Sequence, residues 1–97
     1  MPSLKPIHPG TVLKEDVMDK LKLSANALAL DLHVPANRIT AIVNGERGIT
    51  LETALRLERY LGTSADFWLN LQNRYDVEAA ADMRKRIKRE VRPRKTA

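Results

Sequence analysis

Apolar residues recur at helical spacing along this chain, and short polar breaks with glycine, proline or helix-capping residues separate them. No alternating apolar and polar run predicts a strand. The pattern predicts five helices, which begin near Pro9, at the N-cap residue Ser24, near Pro35, at the N-cap Thr50 and at the N-cap Ser64. The second helix is expected over 24–32 and the third to about Asn44, with Gly45 and Gly62 as helix-ending residues.

The last part of the chain predicts a sixth, conditional helix. The segment 76–91 has no glycine or proline, and Ala80, Met83, Ile87 and Val91 follow a 3-4-4 spacing. A chain of 97 residues is long enough for one compact domain with one core. We therefore predict an all-α fold, with one domain over 1–82 and a helical or disordered basic tail over 83–97.

The positive charge of the chain is concentrated in this tail. Eight of the 17 basic residues and one of the 12 acidic residues follow Met83, so the tail carries +7 and the remainder carries −2. A nucleic-acid site on the folded part must then be a local face, because the domain as a whole is not basic.

The composition argues against metal, cofactor and catalytic chemistry. There is no cysteine, and the two histidines, His8 and His33, lie far apart without neighbouring carboxylates at ligand spacing. No nucleophile–base pattern or phosphate-binding glycine loop is present. We predict no catalytic residue, no metal and no cofactor. No run is long and apolar enough for a signal peptide or a membrane span, so we expect a cytoplasmic protein without a membrane partner.

The second and third helices, joined by a tight connection, are typical of a helix-turn-helix unit with its core at about 24–45. In such units the start of the second helix enters the major groove of double-stranded DNA. With Ile39 and Ile42 anchoring that helix, the base-reading candidates are Ala36, Asn37, Arg38, Thr40 and Ala41. Asn suits an adenine edge, Arg a guanine edge and Ala a thymine methyl group.

A second group of residues is placed to hold DNA phosphates without reading sequence. This group comprises the amides of Ser24, Ala25 and Asn26 and the side chains of Asn44 and Arg47. For Asn37 and Arg38, an ordinary solvated helix face is an equally good interpretation from periodicity alone.

The fifth helix carries an apolar, aromatic side that predicts a homodimer interface. Its members are Phe67, Trp68, Leu71 and Tyr75. Positions 67 and 68 point about 100° apart on a helix, so we expect one ring in the core and the other at the interface. The basic tail has three open interpretations: a solvated end, a DNA-phosphate contact, or a contact with an acidic protein.

Three stretches carry a resemblance to a known family: HPG at 8–10, SANALALDLHVPANRITAIVNG at 24–45 and RGITLETALRLERYLGTSADFWLNLQNRYD at 47–76. The second stretch resembles the helix-turn-helix of the phage-repressor (XRE) class. Together the three resemble the HigA family of antitoxins over about residues 7–77. The resemblance implies a five-helix, lambda-repressor-like domain that binds palindromic operator DNA as a homodimer and represses its own operon.

The same resemblance implies a protein partner, a HigB-type toxin that is a small ribonuclease. Two other functions remain open from the residues: a stand-alone XRE-type repressor without a toxin, and an interaction module that no longer binds DNA. A small toxin reading frame beside the gene would favour the antitoxin, and an orphan gene would favour the repressor.

Overall fold

The structure is a computed structural model that describes residues 5–95, and every regular element in this range is a helix. The first helix, α1, consists of an α-helical turn Pro9–Val12, a π-helical stretch Leu13–Met18 and a final turn Asp19–Leu21. It is followed by α2 (Ala25–Leu32), α3 (Ala36–Val43), α4 (Leu51–Leu61), α5 (Ala65–Glu78) and α6 (Ala81–Glu90). The all-α prediction is confirmed.

The predicted caps are found where the sequence places them. The side-chain oxygens of Ser24, Thr50 and Ser64 each accept a hydrogen bond from the backbone N–H three residues on. Gly45 and Gly62 have φ of +75° and +81°, the left-handed conformation that ends a helix at least cost for glycine.

Spacings of about four among Val12, Leu13, Val17 and Leu21 predict a regular apolar stripe along α1, and the π-helical stretch Leu13–Met18 departs from it. A π-helix repeats its hydrogen bonds at i to i+5, which brings Leu13 and Met18 onto the same face. Both residues are buried, whereas Leu21, expected in the stripe, is exposed.

The helix boundary near residue 79 also differs from the predicted one. The sixth segment was expected from Asp76, but α5 continues to Glu78 and the break lies at Ala79 and Ala80. Tyr75 packs against His8, with ring centroids 4.7 Å apart, and two i,i+4 pairs support the turn that follows: Gln72 Nε2 donates to Asp76 Oδ1 at 3.0 Å, and Arg74 Nε is 3.4 Å from Glu78 Oε2. In the described part of the chain beyond Glu78, no residue belongs to the core, and residues 81–95 are all exposed.

A single apolar core joins the first five helices. Its fully buried large side chains are contributed by every one of them: Leu13, Leu28, Ile39, Ile42, Leu57 and Trp68. The indole Nε1–H of Trp68 donates to Thr63 Oγ1 at 2.9 Å, so the one polar atom of this ring is satisfied inside the core.

The start of α1 lies directly against the end of α3. His8 Nδ1 accepts a hydrogen bond from the Gly10 N–H at 2.9 Å and so caps α1. A Cβ on Gly10 would overlap the carbonyl oxygen of Ile42, so only glycine permits this approach. The HPG motif therefore positions α1 on the C-terminal end of α3.

The Gly10→Ala variant is expected to lose about 3 kcal/mol of unfolding free energy, the upper end of the usual overpacking cost, because the added methyl group must force α1 away from α3. Gly62→Ala is the matched control. Nothing lies within 4 Å of a Cβ at Gly62, so that variant should lose only the cost of a left-handed alanine, about 1–2 kcal/mol. Urea denaturation followed by the fluorescence of Trp68, the single tryptophan, measures both. Equal losses would contradict the close contact of α1 with α3.

Candidate nucleic-acid interface

Helices α2 and α3 form the helix-turn-helix unit that the sequence predicts at 24–45. The chain leaves α2 through His33 in the left-handed conformation, with φ of +58°, and the N–H of Val34 donates to the Ala29 carbonyl at 3.0 Å. Pro35 then begins α3, and it has no side-chain group to cap the first-turn amides. The start of α3 is therefore open to an external acceptor.

The two sides of α3 differ sharply in burial. Ile39 and Ile42 are fully buried, whereas Asn37 and Thr40 are exposed on the opposite side. The two alanine candidates flank this outer side: Ala36 is exposed and Ala41 is partly buried. The Thr40 hydroxyl donates to the Ala36 carbonyl at 3.3 Å. The outer side of α3 therefore carries one exposed amide, that of Asn37, and several small side chains.

Arg38, the fifth base-reading candidate, lies in a different environment from the rest. Its Nη1 donates to Glu52 Oε1 at 2.9 Å, and only 20% of its side chain is exposed. Its Nε–H is buried with no hydrogen-bond partner among the described residues. The guanidinium therefore lies in the seam between α3 and α4.

Glu52 joins three helices, and we call the group Arg38, Glu52 and Arg56 the Glu52 clamp. Glu52 Oε2 accepts from Arg56 Nη2 at 3.4 Å, and Arg56 Nη1 donates to the Leu32 carbonyl at 3.0 Å. The clamp thus ties α3 and the end of α2 to the first turn of α4. Sequence analysis missed this role because Arg38 and Glu52 are 14 residues apart, and no local spacing indicates the pair.

The clamp also changes the acidity of its carboxyl group. The guanidinium groups of Arg38 and then Arg56 hold the pKa of Glu52 below the usual glutamate value, because they stabilise the carboxylate. The ion pairs are therefore present at neutral pH and are lost only when the pH falls through this lowered value.

The phosphate candidates lie at the two ends of the helix-turn-helix unit. Ser24 caps α2 through Ala27, and the first-turn amides of Ala25 and Asn26 have no intrahelical acceptor. Asn44 and Arg47 are exposed in the loop that follows α3.

A residue that the sequence did not single out, Gln72, fixes the position of this loop. Its Oε1 accepts from the Ile49 N–H at 2.7 Å, and its Nε2 donates to Asp76 Oδ1 at 3.0 Å. Because Gln72 lies on α5, the loop that carries Asn44 and Arg47 is held by a helix outside the helix-turn-helix unit.

The predicted interface side of α5 requires one correction. Trp68 is fully buried within its own chain, so it has no surface to offer a partner and is a core residue. Phe67 is 44% exposed and lies edge-on to Trp68 with ring centroids 5.0 Å apart. Leu71 and Tyr75 are partly buried, and Tyr75 contacts His8. The adjacent aromatic residues therefore divide as their 100° separation predicts, one inside and one outside.

Two further searches concern only the part of the chain that the structure describes. Residues 5–95 contain no group of three or more His, Cys, Asp or Glu side chains that could hold a metal ion. Within the same range, every helix is too short or too polar to cross a membrane.

Removing Arg38 should raise the pKa of Glu52, since its hydrogen bond is the largest cause of the lowering. Carboxyl chemical shifts followed by NMR over pH 2–6 are expected to give a higher Glu52 midpoint in Arg38→Gln than in the parent chain. Lys88→Gln, on the exposed helix α6, is the control that leaves the midpoint unchanged. An unchanged midpoint in Arg38→Gln would mean that the clamp is open in solution.

Comparisons with known proteins agree with this geometry. Residues 14–68 match the helix-turn-helix family. Virulence-associated protein I of Dichelobacter nodosus is 53% identical over 74 residues, which are 76% of this chain and 68% of that protein. A solved addiction module antidote protein of the HigA family from Coxiella burnetii is 50% identical, with a TM-score of 0.83 over 94% of this chain and 100% of that one. The Pseudomonas aeruginosa antitoxin HigA, solved with the higBA promoter, is 43% identical, with a TM-score of 0.84 over 91% of this chain and 97% of that one.

The family match covers more than half of this chain, and the likeness to the Coxiella burnetii protein extends over nearly all of it. The all-helical fold of the described residues, the geometry of α2 and α3 and the sequence identities indicate the same family. The chain belongs to the HigA family of helix-turn-helix antitoxins, a class of DNA-binding regulators rather than enzymes.

Proposed function

We propose that this protein is a sequence-specific DNA-binding antitoxin that represses its own operon as a homodimer and neutralises a HigB-type ribonuclease toxin. The observation that carries the DNA half is the outer side of α3, which is exposed, polar and held rigidly by two buried isoleucines. The presence of promoter DNA in the Pseudomonas aeruginosa HigA structure, whose chain superimposes at a TM-score of 0.84, supports the same half.

The base-reading part of the proposal rests on the outer side of α3. Asn37 has an exposed amide of the kind that bonds two atoms of an adenine edge. Ala36, Thr40 and Ala41 would offer their methyl groups to a thymine methyl group. Arg38 would read guanine with the guanidinium N–H groups that Glu52 leaves free, and the clamp would then fix its direction.

The phosphate-binding part rests on the two ends of the unit. Amides at the start of α2, at Ser24, Ala25 and Asn26, would hold one phosphate, since the positive end of a helix dipole attracts anions. Asn44 and Arg47 would hold another beside the end of α3. Such contacts set the register of the protein on the duplex without reading its sequence.

The homodimer would place two α3 helices in successive major grooves, about 34 Å apart or a multiple of this distance. Phe67 is the exposed aromatic residue of the proposed interface. Leu71 lies beside it in an open groove of about 290 Å³ that Ile7 and Val12 also line. Burial of this apolar surface in a second copy would stabilise the pair by roughly 25 cal/mol per Å².

Asn37→Ala should weaken binding to the DNA upstream of the gene by about 1–3 kcal/mol and relax the preference at one base pair, because it removes a bidentate base contact. Arg47→Ala should instead weaken all sequences alike and lower the salt dependence, as loss of a phosphate contact requires. Fluorescence anisotropy against a set of single-base operator variants measures both effects.

Asn70→Ala is the matched control for the first variant, because it removes an exposed asparagine from α5 rather than from α3. It should bind like the parent chain. If Asn37→Ala keeps both the affinity and the base preference, α3 does not read the operator through this residue.

Co-expression with the product of a small neighbouring reading frame tests the antitoxin half. The chain is expected to form a stable complex with that product, to suppress its ribonuclease activity and to change its own operator shift in a gel. An orphan gene, or a neighbour that neither binds nor cleaves RNA, would leave a stand-alone repressor of the XRE class.

A further inference from the structure

The helix α6 is a basic element that stands outside the core. All ten of its side chains, Ala81–Glu90, are exposed. The radius of gyration is 16.7 Å and the longest dimension is 54 Å, whereas a compact chain of this length has a radius of about 13 Å. The difference reflects the protrusion of α6 from the five-helix body.

The faces of α6 have different chemistry. At 100° per residue, Met83 and Ile87 share one side, and Lys85, Lys88 and Arg89 lie toward the other. Glu90 is 3.9 Å from Arg86, but no acidic side chain in the described part of the chain lies within ion-pair distance of those three basic residues. Their charge is available to an external anion.

The position of α6 follows from contacts at the end of α5. Gln72 Oε1 accepts a hydrogen bond from the Ile49 N–H, and Tyr75 packs on His8. The His8 ring lies beside Gly45, since a Cβ built on Gly45 would be 4.0 Å from it. The C-terminal part of α5 therefore lies beside the loop that carries Asn44 and Arg47. α6 begins six residues after Tyr75, beyond the break at Ala79 and Ala80, so it continues the chain from the end of α5 that lies beside this loop.

From these observations we propose that α6 is a second DNA-binding element, which holds phosphates of the duplex that flanks the operator half-site through Lys85, Lys88 and Arg89. The inference rests on the proposed DNA-binding function and adds to it a contact outside the helix-turn-helix unit. The tail carries +7 and the rest of the chain −2, so the tail is the part that a polyanion attracts. Ten helical residues span about 15 Å, the length of four or five base pairs.

A contact with DNA phosphates explains the positive charge of α6 better than a contact with a protein partner does. The apolar side of α6 carries only two large apolar side chains, Met83 and Ile87. Two side chains offer little surface for a stable protein interface. The five basic residues of α6 and the three that follow it match the regular charge of a duplex.

The test compares two duplexes, one that ends at the half-sites and one extended by about six base pairs of arbitrary sequence on each side. The full chain is titrated against both by anisotropy at several salt concentrations. The parent chain should bind the longer duplex about tenfold more tightly at low salt. The slope of log K against log salt should also be steeper for the longer duplex, by about 0.9 for each added phosphate contact. The variant Lys85→Gln/Lys88→Gln/Arg89→Gln should lose this difference and keep its affinity for the short duplex.

Two further variants serve as controls. Lys85→Arg/Lys88→Arg keeps the charge and should bind both duplexes like the parent chain. Met83→Gln/Ile87→Gln keeps the charge and removes the apolar stripe, so it should also be unchanged. Because every side chain of α6 is exposed, all variants should give the parent thermal unfolding curve.

Three outcomes would overturn the inference. Equal affinity of the parent chain for the short and long duplexes would remove the flanking contact while the operator function stands. A loss of binding in Met83→Gln/Ile87→Gln, but not in Lys85→Gln/Lys88→Gln/Arg89→Gln, would assign α6 to a protein contact. Failure of the parent chain to bind any duplex specifically would remove the proposed function, and this inference with it.

Discussion

Burial of Ile39 and Ile42 is the interaction on which the DNA-binding geometry depends. An eight-residue helix is too short to be stable in water alone, so α3 exists because these two side chains are fully inside the core. Each contributes roughly 1.5–3 kcal/mol through removal of its apolar surface from water. Their three-residue spacing also fixes the rotation of α3, and for that reason Asn37 and Thr40 face outward together.

The two ends of the helix-turn-helix unit are supported from outside it. At one end, Glu52 on α4 holds Arg38 and, through Arg56, the last carbonyl of α2. At the other end, the close approach of Gly10 to Ile42 and the hydrogen bond of Gln72 to Ile49 fix the loop after α3. The surface of α3 proposed to read DNA is therefore held in place within the chain itself, and such preorganisation lowers the entropic cost of binding.

Charge is separated along the chain in a way that matches this arrangement. The body carries −2, so it relies on a local face for specific contacts. The tail carries +7, and five of its eight basic residues lie on α6, whose side chains are all exposed. In the proposed function, specific reading by α3 and general attraction to a polyanion by the tail belong to different parts of the molecule.

The caps and the outer side of α3 could be predicted from the sequence, because they follow from local spacing and from single residues such as Ser24, Thr50 and Gly62. Which of two adjacent aromatic rings is buried and what holds Arg38 became evident only in the folded chain. Both depend on residues far apart in the sequence: Trp68 packs in a core to which all of the first five helices contribute, and Glu52 is 14 positions from Arg38. Periodicity records which side of a helix is apolar but not which distant residue will meet it, and that long-range pairing exists only in the folded chain.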